Sequence, residues 1–183
     1  MELYIIGGIL VLLLIVFLVI YNKLIRRKNK VHEAFSTMDV YLKKRWDLIP
    51  NLIEVVKGYS DYENKTLKEI VEVRNMAYEQ MDDSKKVKVN GRLGKQIMNL
   101  IALAEQYPEL KANNVYLNLS NELSSVENDI ENSRKYYNAC VRMLNDSVEM
   151  FPSNIVAKLC GFKKGEMFEI TNEEKENVSV KLD

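Results

Sequence analysis

From Leu3 to Tyr21 the chain runs through nineteen residues without one charge. A helix of that length reaches roughly 28 Å at about 1.5 Å per residue, close to the hydrocarbon thickness of a bilayer. A soluble domain of this size has no need of a helix that is apolar on every side. Gly7 and Gly8 are tolerable in such a segment because a membrane helix satisfies its own backbone. The competing reading is a cleaved leader. Met1-Glu2 supplies no positive n-region, no small-x-small cleavage site follows Ile20, and neither cysteine lies near the N-terminus to carry a lipid. Residues 1–21 therefore read as a retained transmembrane anchor.

The flanks orient it. Only Met1 and Glu2 precede the stretch, whereas Lys23, Arg26, Arg27, Lys28 and Lys30 follow it with no acid among them. The positive-inside bias predicts a single-pass protein of the cell membrane, its N-terminus outside and its C-terminal domain cytoplasmic. Tyr4 and Tyr21 fall where interfacial aromatics belong, and the basic cluster would lie against anionic headgroups at about 1 kcal/mol per cation. Setting topology accounts for most of what those charges do.

Roughly 160 residues remain, enough for one domain with a real core. Formal net charge is zero, so no global field invites nucleic acid. With three prolines and seven glycines, long stretches carry no breaker, which points to a chain of helices. Cys140 and Cys160 have neither metal-ligand nor thioredoxin spacing, and on the cytoplasmic side they read as reduced, half-buried thiols.

After Asn22 a second pattern begins. Val31, Phe35, Met38, Leu42, Arg45, Ile49, Leu52, Val56 and Tyr59 alternate steps of four and three, a heptad stripe of the kind that forms the seam of a bundle or coiled coil. Arg45 occupies a seam position. Pro50 removes a hydrogen bond to the Trp46 carbonyl, so a kink is expected there, with the helix closing at Gly58 and Asp61 to Asn64. Thr66 with Glu69 is a capping-box pattern, and Leu67, Ile70, Val73, Ala77 and Met81 continue at helical spacing. Residues 82–91 lose the period and read as a loop or helix break. Leu93 to Ala104 resume it until Tyr107-Pro108, where the turn falls.

The longest pattern starts near Asn113. Tyr116, Leu119, Leu123, Val126, Ile130, Tyr137, Cys140, Leu144 and Val148 form its apolar stripe, and a polar line through Glu127, Arg134, Asn138 and Asn145 runs beside it. Phe151-Pro152 ends this helix, and a short one, Ile155 to Cys160, stops at Gly161. The expected fold is all-α: the anchor, then an antiparallel bundle over residues 22–162, then a partly disordered tail, 163–183. Helix lengths favour three rods, the middle one interrupted at 82–91, plus the short terminal helix, resembling a four-helix bundle. The rival layout reverses the chain at that loop.

Some strings are specific. Arg45-Trp46-Asp47-Leu48-Ile49-Pro50-Asn51-Leu52 resembles the arginine, aromatic, Asp-Leu-Ile-Pro-Asn-Leu signature of the bacterial LemA family. Asn22 and Asn29 lie where that family has asparagines after its anchor, and Glu105-Gln106-Tyr107-Pro108-Glu109-Leu110-Lys111-Ala112 is similar to its Glu-x-Tyr-Pro-Asp-Leu-Lys-Ala stretch. The series Glu127, Ile130, Arg134, Tyr137-Asn138, Val141, Asn145, Phe151-Pro152 matches its last long helix. Trp46 stands where tyrosine is usual, Phe35 where tryptophan is usual, and Leu144 where an aromatic is common. The resemblance implies a helical, single-pass bacterial membrane protein with a cytoplasmic bundle, and it brings no catalytic residues.

The residues themselves argue against chemistry. His32 sits among juxtamembrane cations, Cys140 falls on a core stripe, and Asp82-Asp83 lacks further carboxylates at metal-site spacing. Gly91 and Gly94 flank a break and form no phosphate loop. No cofactor is expected. The favoured reading is a non-enzymatic interaction or adaptor module at the inner face of the membrane. Its partners would be the lipid bilayer and a membrane or cytoplasmic protein. The alternatives are a self-assembling scaffold, hence a homo-oligomer, and, more weakly, an enzyme with an unrecognised site. One structural expectation is sharp. A seam guanidinium is costly unless paired. If the first and last long helices run parallel, Arg45, fourteen residues beyond Val31, stands level with Glu127, fourteen beyond Asn113. They should form a shielded ion pair, with Arg134 and Asn138 in the surrounding polar network.

Overall fold

The computed structural model describes residues 1–58, 65–104 and 107–168. The expected helix closure at Asp61 to Asn64, the Thr66 side chain of the capping box, Glu105-Gln106 and the tail beyond Phe168 lie outside them. Among the described residues the chain is all-α: α1 (Glu2–Lys57), α2 (Lys65–Arg74), α3 (Asp83–Ala104), α4 (Pro108–Lys111), α5 (Asn114–Glu149) and α6 (Ser153–Leu159), with a 3₁₀ turn at Tyr78–Gln80. At 56 residues α1 is the longest described helix, and it runs through Pro50 without ending. The chain forms two compact units, Thr37–Asn132 and Met1–Ser36 with the chain from Ser133 onward.

In the unit of Thr37–Asn132 the heptad stripe of α1 is the core. Met38, Leu42, Ile49, Leu52 and Val56 are buried, together with Ile70 of α2, Leu93 and Leu100 of α3, Leu110 of α4, and Val126 and Ile130 of α5. Each such side chain contributes about 1.5–3 kcal/mol. Asn113 caps α5, its Oδ1 accepting the Val115 N–H at 2.8 Å.

The middle of the chain differs from the interrupted rod expected of it. Residues 82–91 are no loop; all but Asp82 belong to the first turns of α3. Asp82 caps that helix, its Oδ1 accepting the Lys85 N–H at 2.7 Å, and Asp83 faces the positive end of the dipole. The apolar period lapses there because one core position, beside buried Val89, is filled by Asn90, which is fully buried. The chain breaks earlier, around Tyr78–Gln80. From that point α3 packs back on α2, with Gln96 Nε2 donating to Glu69 Oε2 at 3.3 Å. The middle is a helical hairpin.

In the other unit α1 begins with the apolar stretch. It is long and apolar enough to cross a membrane, and none of its most apolar window is buried. Where that stretch ends, Leu24 is buried with Val156 and Ala157 of α6, and Phe17, Ile20, Tyr21, Val148 and Phe162 pack around them. A left-handed Gly161, φ 72°, closes α6, and the Phe162 N–H returns to the Ala157 carbonyl at 2.9 Å. The direction of α1 and α5 overturns a premise. Phe35 meets Tyr137 edge to face at 5.9 Å, whereas Arg27 Nη1 donates to the Met143 carbonyl at 2.5 Å. Going back along α1 goes forward along α5, so within this unit the two helices are antiparallel.

Candidate functional site

Among the described residues the seam arginine is the largest fully buried side chain, 1 % exposed. Its Nη1 donates to Glu127 Oε2 at 2.6 Å, and its Nη2 to the Asn90 carbonyl at 2.6 Å and to Asn90 Oδ1 at 3.1 Å. Gly94 leaves space for it: a Cβ at that position would lie 3.0 Å from Nη1. The structure thus brings Arg45 and Glu127 together, but the pair is only half shielded. The arginine side chain is 2 % exposed and the glutamate side chain 50 %, because Glu127 reaches in from the rim of α5.

A second set of polar groups adjoins the first. Asn90 donates from Nδ2 to the Lys86 carbonyl at 3.0 Å. The Tyr78 hydroxyl donates to Asp39 Oδ1 at 2.6 Å, and Lys86 Nζ to Asp39 Oδ2 at 2.7 Å. Lys86 also lies 5.0 Å from the centre of the Tyr78 ring, which packs on Trp46 at 5.1 Å. Burial first, and then the bond to Asp39, raise the Tyr78 pKa far above the ordinary tyrosine value. The sequence reading missed Tyr78, Asp39 and Asn90. Asp39 borders the seam residue Met38, and Asn90 interrupts an otherwise apolar period; those were the available signals.

The polar line of α5 divides. Glu127 serves Arg45. Further along, Asn138 Oδ1 accepts the Phe168 N–H at 2.7 Å while its Nδ2 donates to the Phe168 carbonyl at 2.9 Å. Asn145 does the same to Gly165, at 2.8 Å and 3.1 Å. Tyr137 donates to the Glu166 carbonyl at 3.0 Å, and the Arg134 guanidinium lies 4.3 Å from the centre of the Phe168 ring. Asn138 and Arg134, expected around the Arg45 pair, therefore clamp an extended segment after α6. Each asparagine amide satisfies both backbone groups of one residue, as a neighbouring strand would.

Of the residues expected at a membrane interface, Lys23, Arg26, Lys28 and Lys30 are exposed, and Arg27 bonds the Ser147 hydroxyl. Tyr4 is exposed; Tyr21 stacks on Phe17 and meets Phe162 edge-on at 5.9 Å. His32 is exposed. Cys140 is buried and Cys160 exposed, where both were expected half-buried. Among the described residues no cluster of three or more His, Cys, Asp or Glu could hold a metal.

The profile of the LemA family matches residues 34–182. The chain belongs to the LemA family. Protein LemA of Metamycoplasma hominis is 27 % identical over 87 % of this chain and 73 % of its own length. Magnetosome protein MamQ 2 of Paramagnetospirillum magneticum is 31 % identical over 44 % of this chain and 29 % of its own length. MamQ of Magnetospirillum gryphiswaldense is 29 % identical over 43 % and 29 % respectively. The chain thus spans under a third of the magnetosome relatives. In this LemA-family chain the string Arg45 to Leu52 is a packing device: Arg45, Trp46, Ile49 and Leu52 are buried, and exposed Asp47 pairs with Lys43 at 2.6 Å.

Proposed function

We propose that this LemA-family chain is a non-enzymatic, membrane-tethered interaction module. Leu3 to Tyr21 spans the bilayer with the N-terminus outside, Lys23 to Lys30 meet the inner leaflet, and the helical bundle docks a membrane or cytoplasmic protein. The observation that carries the reading is the continuity of α1. One unbroken helix contains both an uncovered apolar stretch and the seam of a packed core, so whatever the bundle binds is held near the membrane. The polar side chains most able to do chemistry, Arg45, Asp39, Tyr78 and Lys86, are engaged with one another and with helix backbone.

The test is crosslinking in cells from exposed positions of α3 and α5, followed by identification of what is captured. A recurrent heterologous protein is the expected product. Capture of further copies of this chain alone would favour the second reading, a self-assembling scaffold. Orientation is checked separately. Exposed Cys160 should resist a membrane-impermeant maleimide in intact spheroplasts and react on lysis, whereas buried Cys140 should also require unfolding. Equal labelling of Cys160 before and after lysis would reverse the topology.

A further inference from the structure

The corner between α5 and α6 presents an apolar surface that the core leaves uncovered. On one side α6 buries Val156 and Ala157 against Leu24. On its other side Ile155 and Leu159, one turn apart, are 53 % and 74 % exposed, and Met150 and Phe151 before it are 63 % and 79 % exposed. Single exposed apolar residues are ordinary, but a seven-residue helix apolar on two sides and preceded by an open phenylalanine is poorly matched to water. Its position names the solvent it meets. The Leu24 core that seats α6 also includes Phe17, Ile20 and Tyr21, the last turns of the apolar stretch of α1. The corner is therefore held at the level where α1 leaves the hydrocarbon.

The charges around it fit the same surface. Lys23 and Arg27 line one groove with Ile20, Met150 and Phe151, and a second with Arg26, Lys30 and Met143. Lys158 and Lys163 are exposed on and just after α6. Among the described residues, Asp146 lines the first groove, and Glu149 is paired with Lys164. An apolar tip ringed by cations is the pattern of an interfacial element on an anionic leaflet.

We propose that this corner is a second membrane contact. Phe151, Ile155 and Leu159 enter the boundary between headgroups and acyl chains of the leaflet that α1 leaves, and the surrounding cations meet anionic lipid headgroups. The proposal rests on reading Leu3 to Tyr21 as a span, and the experiment separates the two. The full chain, with Cys140→Ala and Cys160→Ala, is reconstituted into vesicles of phosphatidylcholine and phosphatidylglycerol. An environment-sensitive fluorophore is placed in turn on Phe151→Cys, Ile155→Cys and Leu159→Cys, all exposed positions whose substitution leaves the core intact. Leu10→Cys serves as the span control and Asn118→Cys as the water control. The three corner probes should emit to the blue and be quenched best by lipids brominated near the top of the acyl chain. Leu10→Cys should be quenched best by deep bromines, and Asn118→Cys by neither. Corner probes that behave like Asn118→Cys while Leu10→Cys is quenched would overturn the proposal and leave the span. Loss of quenching at Leu10→Cys as well would remove the span with it. A blue shift without quenching would assign the surface to a second copy of the chain, and would equally overturn the membrane contact.

Discussion

In the unit of Thr37–Asn132 a guanidinium lies in the seam between helices, bonded to a glutamate on α5 and an asparagine on α3. In the unit built from Met1–Ser36 and the chain after Ser133, Arg27 and Arg134 are only half-buried, the other described cations are exposed, and neutral asparagines hold the backbone of an extended segment. The difference follows from what each must fix. Helices packed by interchangeable aliphatic side chains can slide by a heptad, and one charged, directional group inside the seam forbids it. A short segment with no helix of its own needs its peptide groups satisfied, which amides do without desolvating a charge. The first device is strong and sensitive to single changes; the second is built from several weaker bonds.

The comparison predicts its own largest effect at Arg45. In a fragment beginning at Asn22, which keeps Leu24 and Arg27, Arg45→Ala should lower stability to urea by about 3–4 kcal/mol. It opens a cavity beside Asn90 and strands the groups around it. Glu127→Ala should cost less, about 1–2 kcal/mol, because the glutamate is half exposed and water can replace part of what it gives. The double variant should show coupling above about 0.5 kcal/mol. Equal single costs would mean that the two ends of the pair are equally shielded, and additivity would mean that the bond contributes nothing.

How far the sequence led depends on where the partner's signal lies. Met38, Leu42, Ile49, Leu52 and Val56 were legible as a core because burial of aliphatic side chains repeats with the helix. Arg45 stood out as a charge on that stripe, and Glu127 was reached through a parallel register that the antiparallel contacts of Phe35 and Arg27 contradict. Equal offsets from two helix starts brought the right residues together for the wrong reason. Asn90 falls in a stretch that reads as a loop or helix break, because a polar core residue erases the very periodicity that marks a helix. The clamp was half legible. Asn138 and Asn145, two turns apart, formed a polar line, but their partners are backbone groups, which every residue carries and no sequence distinguishes.

A middle-sized effect sharpens the contrast at that clamp. Asn138→Ala should cost about 1–2 kcal/mol locally, from two bonds to a buried residue. Its readout is amide hydrogen exchange, and the Phe168 N–H should exchange faster while amides of α3 keep their protection. Asn138→Asp retains the acceptor for that N–H but sets a carboxylate oxygen against the Phe168 carbonyl, so it should cost at least as much as Asn138→Ala. Global destabilisation by Asn138→Ala would show that the clamp belongs to the main core and would dissolve the distinction between the two devices.

The smallest effect is at Tyr78, and pH isolates it. Asp39 keeps Lys86 at 2.7 Å when the tyrosine hydroxyl is removed, so Tyr78→Phe should cost only about 1 kcal/mol near neutrality. Burial and the bond to Asp39 raise the Tyr78 pKa above the ordinary value of 10.0. A group whose folded pKa is raised contributes fully while both states hold the proton, below the unfolded value. As pH climbs through that value the unfolded chain releases its proton and the folded chain retains it, so stability falls by up to about 1.4 kcal/mol per pH unit. Tyr78→Phe has no such proton to lose. In urea unfolding followed upward from about pH 8, the native curve should therefore descend more steeply than that of the variant, and the two should converge, then cross, in the alkaline range. Parallel curves would mean that Tyr78 titrates in the fold as it does in water, and that the seam beside Arg45 is open to solvent.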